Sequence, residues 1–319
     1  MALVLVTGAS GFVGSSVVPA LLDAGHEVRA FLHHERRRAA LLDALPADQR
    51  ARVGVVIGDV TRAETLAEPI RGADAVVHLV AIPRDRSGGR DLERVNTGGT
   101  VALLGAMRDA AVSRLVHVGA LGVADDPALH YGRSKARAEV AVRASGLRWT
   151  VLRPSLMWGP GDGFFRIIGG LIRFSPGLVP VPARQRSRFQ PLWVGDLARS
   201  VVLSLERDDT VGGTYELGGP ELWTYPQIVR EVAAALGKRR ALLPLPLQLI
   251  KLVAGIAEMA HLPFPVATDQ LRQLAFDNAT DLHAVERDWG FPPRSMRGEL
   301  GYLRRPGPTR WDGADVDGR

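Results

Sequence analysis

Tyr131 and Lys135 stand four residues apart. On a helix, residues at this spacing share a face. The Lys135 ammonium would then stand beside the Tyr131 hydroxyl, favour the phenolate and lower its pKa from about 10 toward working pH. A tyrosine so tuned can pass a proton to or from a substrate oxygen during hydride transfer. Far upstream, Gly8, Gly11 and Gly14 recur at three-residue spacing. Gly8 would allow a tight turn, Gly11 the approach of a phosphate to bare backbone, and Gly14 close packing of a helix on a strand. The N–H groups opening that helix would face an anion. A glycine triplet alone is often a plain loop, and Tyr-x-x-x-Lys arises often by chance. Together, about 120 residues apart, they predict a dinucleotide site with Tyr131 as acid/base and Lys135 as its electrostatic partner.

These residues need a scaffold, and the sequence describes one. Ala2 to Val6 is continuously apolar, as in a strand covered on both faces. Phe12, Val13, Val17, Val18, Leu21 and Leu22 mark the helix after the turn, and Ala24-Gly25 stops it. Further strands are expected at 26–32, 53–57, 75–80 and 115–119, alternating with helices. Thr61 with Glu64 three residues on predicts one helix start, and Asn96-Thr-Gly-Gly-Thr100 another. Such alternation predicts an α/β protein with a doubly wound parallel sheet, a Rossmann fold. Ligands in these sheets lie at the C-terminal ends of the strands. The candidate cofactor contacts are therefore Thr7, Gly8, Ser10, Gly11, Phe12, Val13 and Gly14, then Asp59 and Val60, Val80 and Ala81, Asn96, Lys135 and Pro154. Asp59 would accept a hydrogen bond from an exocyclic amine.

The end of the second strand normally reads the adenosine ribose. An acid there accepts the ribose hydroxyls of NAD and repels the extra phosphate of NADP. Here Leu32 is followed by His33 and His34, with Arg36 behind and Arg29 within the strand, while Glu27 comes too early. His33 and Arg36 therefore predict NADP in preference to NAD. The plainer alternative is a solvated helix start.

The chain resembles the short-chain dehydrogenase/reductase superfamily through Thr7-Gly-Ala-Ser-Gly-Phe-Val-Gly14, Gly58-Asp59-Val60, Asn96 and Tyr131-x-x-x-Lys135. Leu152-Arg-Pro-Ser-Leu-Met-Trp-Gly-Pro-Gly161 is similar to a segment of its extended members near the nicotinamide. His117 to Gly122, Phe189 to Asp196 and Thr214 to Pro220 are similar to the atypical branch that includes the nucleotide-binding accessory subunit of respiratory complex I. The resemblance implies that Gly8, Gly11 and Gly14 surround the pyrophosphate and that Lys135 also holds the nicotinamide ribose. It implies oxidoreductase or epimerase/dehydratase chemistry on a small hydroxyl or carbonyl compound, sugar-like or isoprenoid-like. One position departs from the family. The superfamily's catalytic serine or threonine is replaced by Gly119, followed by Ala120. Deleting an oxyanion-type donor costs about 3–4 kcal/mol of barrier. The rival expectation is therefore an NADPH-binding sensor or assembly subunit without turnover, and a third is a scaffold that binds no nucleotide.

After Pro154 the pattern changes. An apolar helix is expected over 164–174, a loop with Arg184, Arg186 and Arg188, a helix from Val194, a strand at Thr214–Leu217 and a helix capped by Thr224 with Gln227. The arginines could meet an anionic substrate or simply be solvated. The expected division is a nucleotide domain over 1–155, with sheet-completing segments returning from about 190–220, a substrate lobe over 156–303 and a disordered tail over 304–319. Ala241 to Ala260 is the most apolar later stretch, interrupted by Pro244, Pro246 and Lys251. It reads as a helix packed on the protein or lying on a membrane surface, and is too broken to span one.

Composition narrows the rest. With 319 residues, 46% hydrophobic and 23% charged, the chain is of ordinary globular type. Cys 0 excludes disulfides and thiolate chemistry, and fits a reducing, cytoplasmic setting. The strand begins at once, with no basic leader. The net charge of +6 favours anionic cofactors, and no nucleic-acid motif accompanies it. The eight histidines form no metal-ligand motif, so no metal is expected.

Overall fold

The apolar run after Ala2 forms β1, Leu3–Thr7, whose Val4, Leu5 and Val6 are fully buried. In this computed structural model, which describes residues 1–84, 87–183, 187–246, 248 and 277–305, β1 is an inner strand of a seven-stranded sheet. The other strands are β2 (Glu27–Leu32), β3 (Val53–Ile57), β4 (Ala75–His78), β5 (Arg114–Val118), β6 (Arg148–Pro154) and Thr214–Leu217. Across the sheet the order is Thr214–Leu217, β6, β5, β4, β1, β2, β3, and every pairing is parallel. This is the expected doubly wound α/β sheet. The chain leaves β1 through β2 and β3, then returns to place β4 on the other side of β1. Ligands bind such sheets at this reversal.

Helices Gly14–Asp23 and Val194–Glu206 pack together, as do Gly99–Asp109 and His130–Arg143. Leu103, Leu104, Met107 and Val142 bury against Leu5, Val76, Leu115 and Val151. Removing that apolar surface from water supplies the main stabilisation, about 25 cal/mol per Å².

The chain divides into two units. Met1–Pro154 and Val194–Leu217 form the first and carry the whole sheet. The second contains Ser155–Trp193 and the described residues from Gly218 onward. Its core joins Phe165, Ile168 and Ile172 of helix Phe164–Phe174 to Ile228, Val229 and Val232 of helix Tyr225–Ala235. Asp162 starts the first of these helices, accepting from Phe165 N at 2.7 Å and from the Tyr302 hydroxyl. The Thr224–Gln227 capping box forms as expected, with Thr224 N donating to Gln227 Oε1 at 2.7 Å.

Three local expectations differ. Thr61 caps no helix: its N–H and hydroxyl both donate to Asp59 Oδ1 at 2.8 Å. A single 3₁₀ turn, Ala63–Thr65, follows, then the short helix Ala67–Ile70. Asn96 starts no helix either. It lies inside a π-helical stretch, Glu93–Gly98, that runs into Gly99–Asp109. Ala241–Leu245 is a strand paired with Leu178–Pro182, not a helix. Pro244 and Pro246 lack the N–H donors a helix would need. Residues 249–260, Arg184, Arg186 and the tail beyond 305 lie outside the described residues. Among the described residues, no helix is long and apolar enough to cross a membrane.

Candidate active site

Gly8 sits at φ +73°, in the left-handed region, and a Cβ there would press on the backbone of Leu79 and Val80 at 3.2 Å. The turn therefore lies close against the chain leaving β4. Gly11 N donates to Gly8 O at 3.0 Å, and a Cβ on Gly14 would collide with the Gly8 and Ala9 carbonyls. The helix that begins at Gly14 has no side-chain cap and no acid in its first turn. A helix start of this kind, without an acid of its own, suits a phosphate. Ser10, Phe12 and Val13 are half-buried along this turn, and Val80 and Ala81 beside it. Thr7 is buried. Its hydroxyl shares a 2.7 Å hydrogen bond with His78 Nδ1 and accepts from Leu79 N at 3.3 Å, so Thr7 braces the turn from beneath.

Asn96 also acts through the protein. Its Oδ1 accepts from Ile82 N at 2.8 Å, and its Nδ2 donates to Ile82 O and to Ser134 Oγ, both at 3.0 Å. The Ser134 hydroxyl donates to Tyr131 O at 2.9 Å, and Thr97 Oγ1 to Ser134 O at 3.0 Å. This amide ties the loop after β4 to the helix that carries Tyr131 and Lys135. π-helical turns are frequent at functional sites for such reasons.

On that helix the Lys135 ammonium, buried, donates to Val118 O at 2.7 Å. Burial pulls its pKa down to about 8, against the opposing pull of the Glu139 carboxylate. Burial pushes the Tyr131 phenol up to about 12. This reverses the expected lowering. The lysine charge is directed at a backbone carbonyl, and desolvation of the phenolate dominates. Tyr131 is thus a protonated donor through the neutral range.

Gly119 follows Val118. Here the family's hydroxyl is absent, and the space is taken by Glu139, whose Oε1 a Cβ on Gly119 would strike. Glu139 is fully buried. Its Oε2 accepts from Arg153 Nε at 2.9 Å, Arg153 NH2 at 2.7 Å and Arg143 NH2 at 2.9 Å. Its Oε1 has no hydrogen-bond partner among the described residues. Pro154, buried at the end of β6, accepts from Leu121 N at 2.9 Å and fixes the chain just past Gly119.

At the other end of the turn, His33 Nε2 lies 3.8 Å from Asp59 Oδ2, and the His33 and His34 rings are 4.1 Å apart. Burial, then His34, holds His33 below the ordinary imidazole value; Asp59 opposes this, and Arg94 and Arg36 add to it. Burial, then Arg36 and Arg37, does the same to His34. Arg36, Arg37 and Arg94 thus place positive charge close to the His33–His34 pair. Arg29 is not part of it: its NH1 donates to Pro69 O at 2.6 Å and Arg71 O at 2.8 Å. Val60 is buried in the sheet's core. Arg188 pairs with Asp277 at 3.1 Å. Among the described residues, no group of His, Asp and Glu could hold a metal ion.

Sequence reasoning missed Arg94, Ser134 and Glu139. Glu139 stands four residues after Lys135, the same spacing that singled out Tyr131. Arg94 carried no such signal.

A family model described as NAD(P)H-binding matches residues 8–164. Ceramide reductase of Caulobacter vibrioides is 30% identical, over 76% of this chain and 73% of its own length. The chain belongs to the extended branch of the short-chain dehydrogenase/reductase superfamily. Two further relatives of this dehydrogenase/reductase span most of it. A 3β-hydroxysteroid dehydrogenase/Δ5→4-isomerase of Mycobacterium tuberculosis is 29% identical, over 91% of this chain and 86% of that protein. The 40 kDa subunit of mitochondrial NADH-ubiquinone oxidoreductase of Neurospora crassa is 25% identical, over 91% and 76%. A dTDP-glucose 4,6-dehydratase of Streptomyces venezuelae, solved with NAD and TYD bound, shares the fold at a TM-score of 0.71, with 24% identity over 95% of this chain and 96% of that one. The protein is thus an NAD(P)-binding oxidoreductase of the dehydrogenase/reductase type.

Proposed function

We propose that this dehydrogenase/reductase uses NADPH to reduce a carbonyl, or NADP to oxidise a hydroxyl, on a lipophilic compound. The observation that carries the reading is the geometry of helix His130–Arg143, which carries Tyr131 and Lys135 one turn apart and is tied by Asn96 to the loop after β4. A nicotinamide cofactor held at the glycine turn would supply the hydride. The Tyr131 hydroxyl gives its proton to the carbonyl oxygen, so that a C–H and an O–H bond form together. Lys135, one helical turn further on, is ionised below about 8 and donates to Val118 O, at the end of β5. Gly8, Gly11 and Gly14 hold the pyrophosphate. His33 and Arg36 favour the 2′-phosphate of NADP, the charge-assisted contact an acid at that place would repel.

The lipophilic substrate is supported by relatives named for hydroxysteroid and ceramide chemistry. Titration with NADPH and NADH, followed by NADPH oxidation against 3-ketosteroids and long-chain ketones, tests both parts. Tighter NADH binding refutes the NADP preference, and activity confined to nucleotide sugars refutes the substrate class. Gly119 and the complex I relative favour a second reading, a cofactor-binding accessory subunit without turnover. In that case NADPH raises the melting temperature but stays unoxidised throughout the panel.

A further inference from the structure

In the second unit, strands Leu178–Pro182 and Ala241–Leu245 form a parallel ribbon with Leu178 opposite Ala241 and Pro180 opposite Leu243. Its inner side is ordinary core: Val179 and Val181 are buried, with Leu242 packed against the same cluster. Its outer side is not ordinary. A half-buried sheet normally alternates apolar-in and polar-out. Here the outward residues at the start of the ribbon are Leu178, Pro180, Ala241 and Leu243, all exposed and all apolar, Leu178 at 54% and Leu243 at 41%, while the last pair on that side, Pro182 and Leu245, is covered or half-covered. Next to them Phe174, the last residue of its helix, is 90% exposed.

The rim of this apolar face is cationic. Arg173 precedes Phe174, and Lys238, Arg239 and Arg240 lead directly into strand Ala241–Leu245 and line a depression together with Arg230. Arg240 Nε donates to Ile172 O at 3.2 Å and Ala241 N to Gly177 O at 3.0 Å, so the basic run is anchored beside Phe174. A second copy of this face would bring like charges together. Pro180, Pro182 and Pro244 remove strand donors, which disfavours an added strand. An apolar face with a cationic rim instead matches the boundary of a bilayer carrying anionic headgroups.

We propose that Phe174, Leu178, Leu243 and the Lys238–Arg240 run dock the second unit on an anionic membrane surface. The docking stands apart from the catalytic reading, because it can be measured without substrate or cofactor.

The test is co-sedimentation of the full-length protein with phosphatidylcholine vesicles, with and without phosphatidylglycerol. Binding is expected on the anionic vesicles only and weakens with salt. Lys238→Ser with Arg239→Ser lowers the partition coefficient about five-fold per side chain. Phe174→Ser with Leu243→Ser abolishes binding. These side chains are exposed, so unchanged melting temperatures verify folding. The proposal fails if wild-type protein ignores anionic vesicles, or if either variant pair binds like wild type. It fails too if the protein binds soluble polyglutamate but not vesicles, or if lipid-free protein is a dimer that Phe174→Ser dissociates.

Discussion

Glu139 fills the space beside Gly119 where the family's hydroxyl-bearing side chain would stand. The two positions are coupled. A carboxylate that is fully buried and held by Arg143 and Arg153 cannot retreat cheaply, so residue 119 has no room to regain a side chain. The same carboxylate opposes the loss of the Lys135 proton. The absent hydroxyl is therefore part of a different local arrangement, in which the helix face Tyr131, Lys135, Glu139 carries the polar groups.

Restoring the hydroxyl should not restore a catalytic triad. Gly119→Ser forces its Cβ onto Glu139 Oε1. Overpacking of this kind costs about 1–3 kcal/mol. The variant should melt lower and turn over no faster than wild type. A Gly119→Ser protein with unchanged melting temperature and raised turnover would show that the position is merely vacant.

Glu139→Gln keeps the shape and removes the charge. Burial then acts on Lys135 without its counterweight, so the ammonium is lost at a lower pH than about 8. The alkaline limb of NADPH affinity, measured by fluorescence titration across pH, should move toward neutrality. Breaking a buried pair of this kind costs about 3–5 kcal/mol, and calorimetry should register the loss. A limb that stays in place would separate Glu139 from Lys135.

The sheet and its glycine turn were legible because their signals are local. An apolar run, three glycines and alternating strands each report on neighbouring residues, as does the Thr224–Gln227 cap. What was not legible depended on distant or competing partners. Asn96 is drawn into a π-helical stretch by Ile82 and Ser134, fourteen and thirty-eight residues away. Thr61 is taken by Asp59 before it can cap a helix. The Tyr131–Lys135 spacing was right about the shared helix but wrong about the charge, because the lysine's acceptor is the backbone oxygen of Val118. Arg29 looked like part of a phosphate site and instead ties down the chain at Pro69 and Arg71.

Cofactor discrimination should depend on pH. Without an anion, burial and the neighbouring cations hold His33 and His34 below the ordinary value of about 6.5. A 2′-phosphate beside them favours the imidazolium forms. The ratio of NADH to NADPH dissociation constants should therefore rise as pH falls below neutrality. A charged hydrogen bond is worth about 1.5–3 kcal/mol, so Arg36→Ser should weaken NADPH by roughly ten-fold or more and leave NADH nearly unchanged. Equal losses for both cofactors would place Arg36 outside the phosphate site.

The first unit should also be acid-labile, through His78 and His117. Their rings lie 5.4 Å apart in the sheet. His78 shares hydrogen bonds with Thr7 at 2.7 Å and Thr100 at 3.0 Å, whereas neither His117 nitrogen has a partner among the described residues. Burial, then the Lys135 charge, holds His78 down to about 3; burial, Lys135, His78 and Arg143 hold His117 well below its usual value. The unfolded chain takes up these protons near 6.5 and the folded one does not. Stability is therefore full above 6.5 and falls as pH drops from 6.5 toward 3, by about 1.4 kcal/mol per pH unit for His78, with His117 acting in the same direction. In the second unit, burial pushes Asp162 up to about 6, which favours the folded state as pH falls from about 6 to 4 and offsets one histidine there. Calorimetry should show a near-constant melting temperature between about pH 7 and 8 and a steady decline below about 6.5. His117→Leu removes two buried unpartnered nitrogens, each worth about 1–3 kcal/mol when left unsatisfied. It should melt higher than wild type at neutral pH and lose stability less steeply in acid; an unchanged acid slope would assign the proton uptake elsewhere.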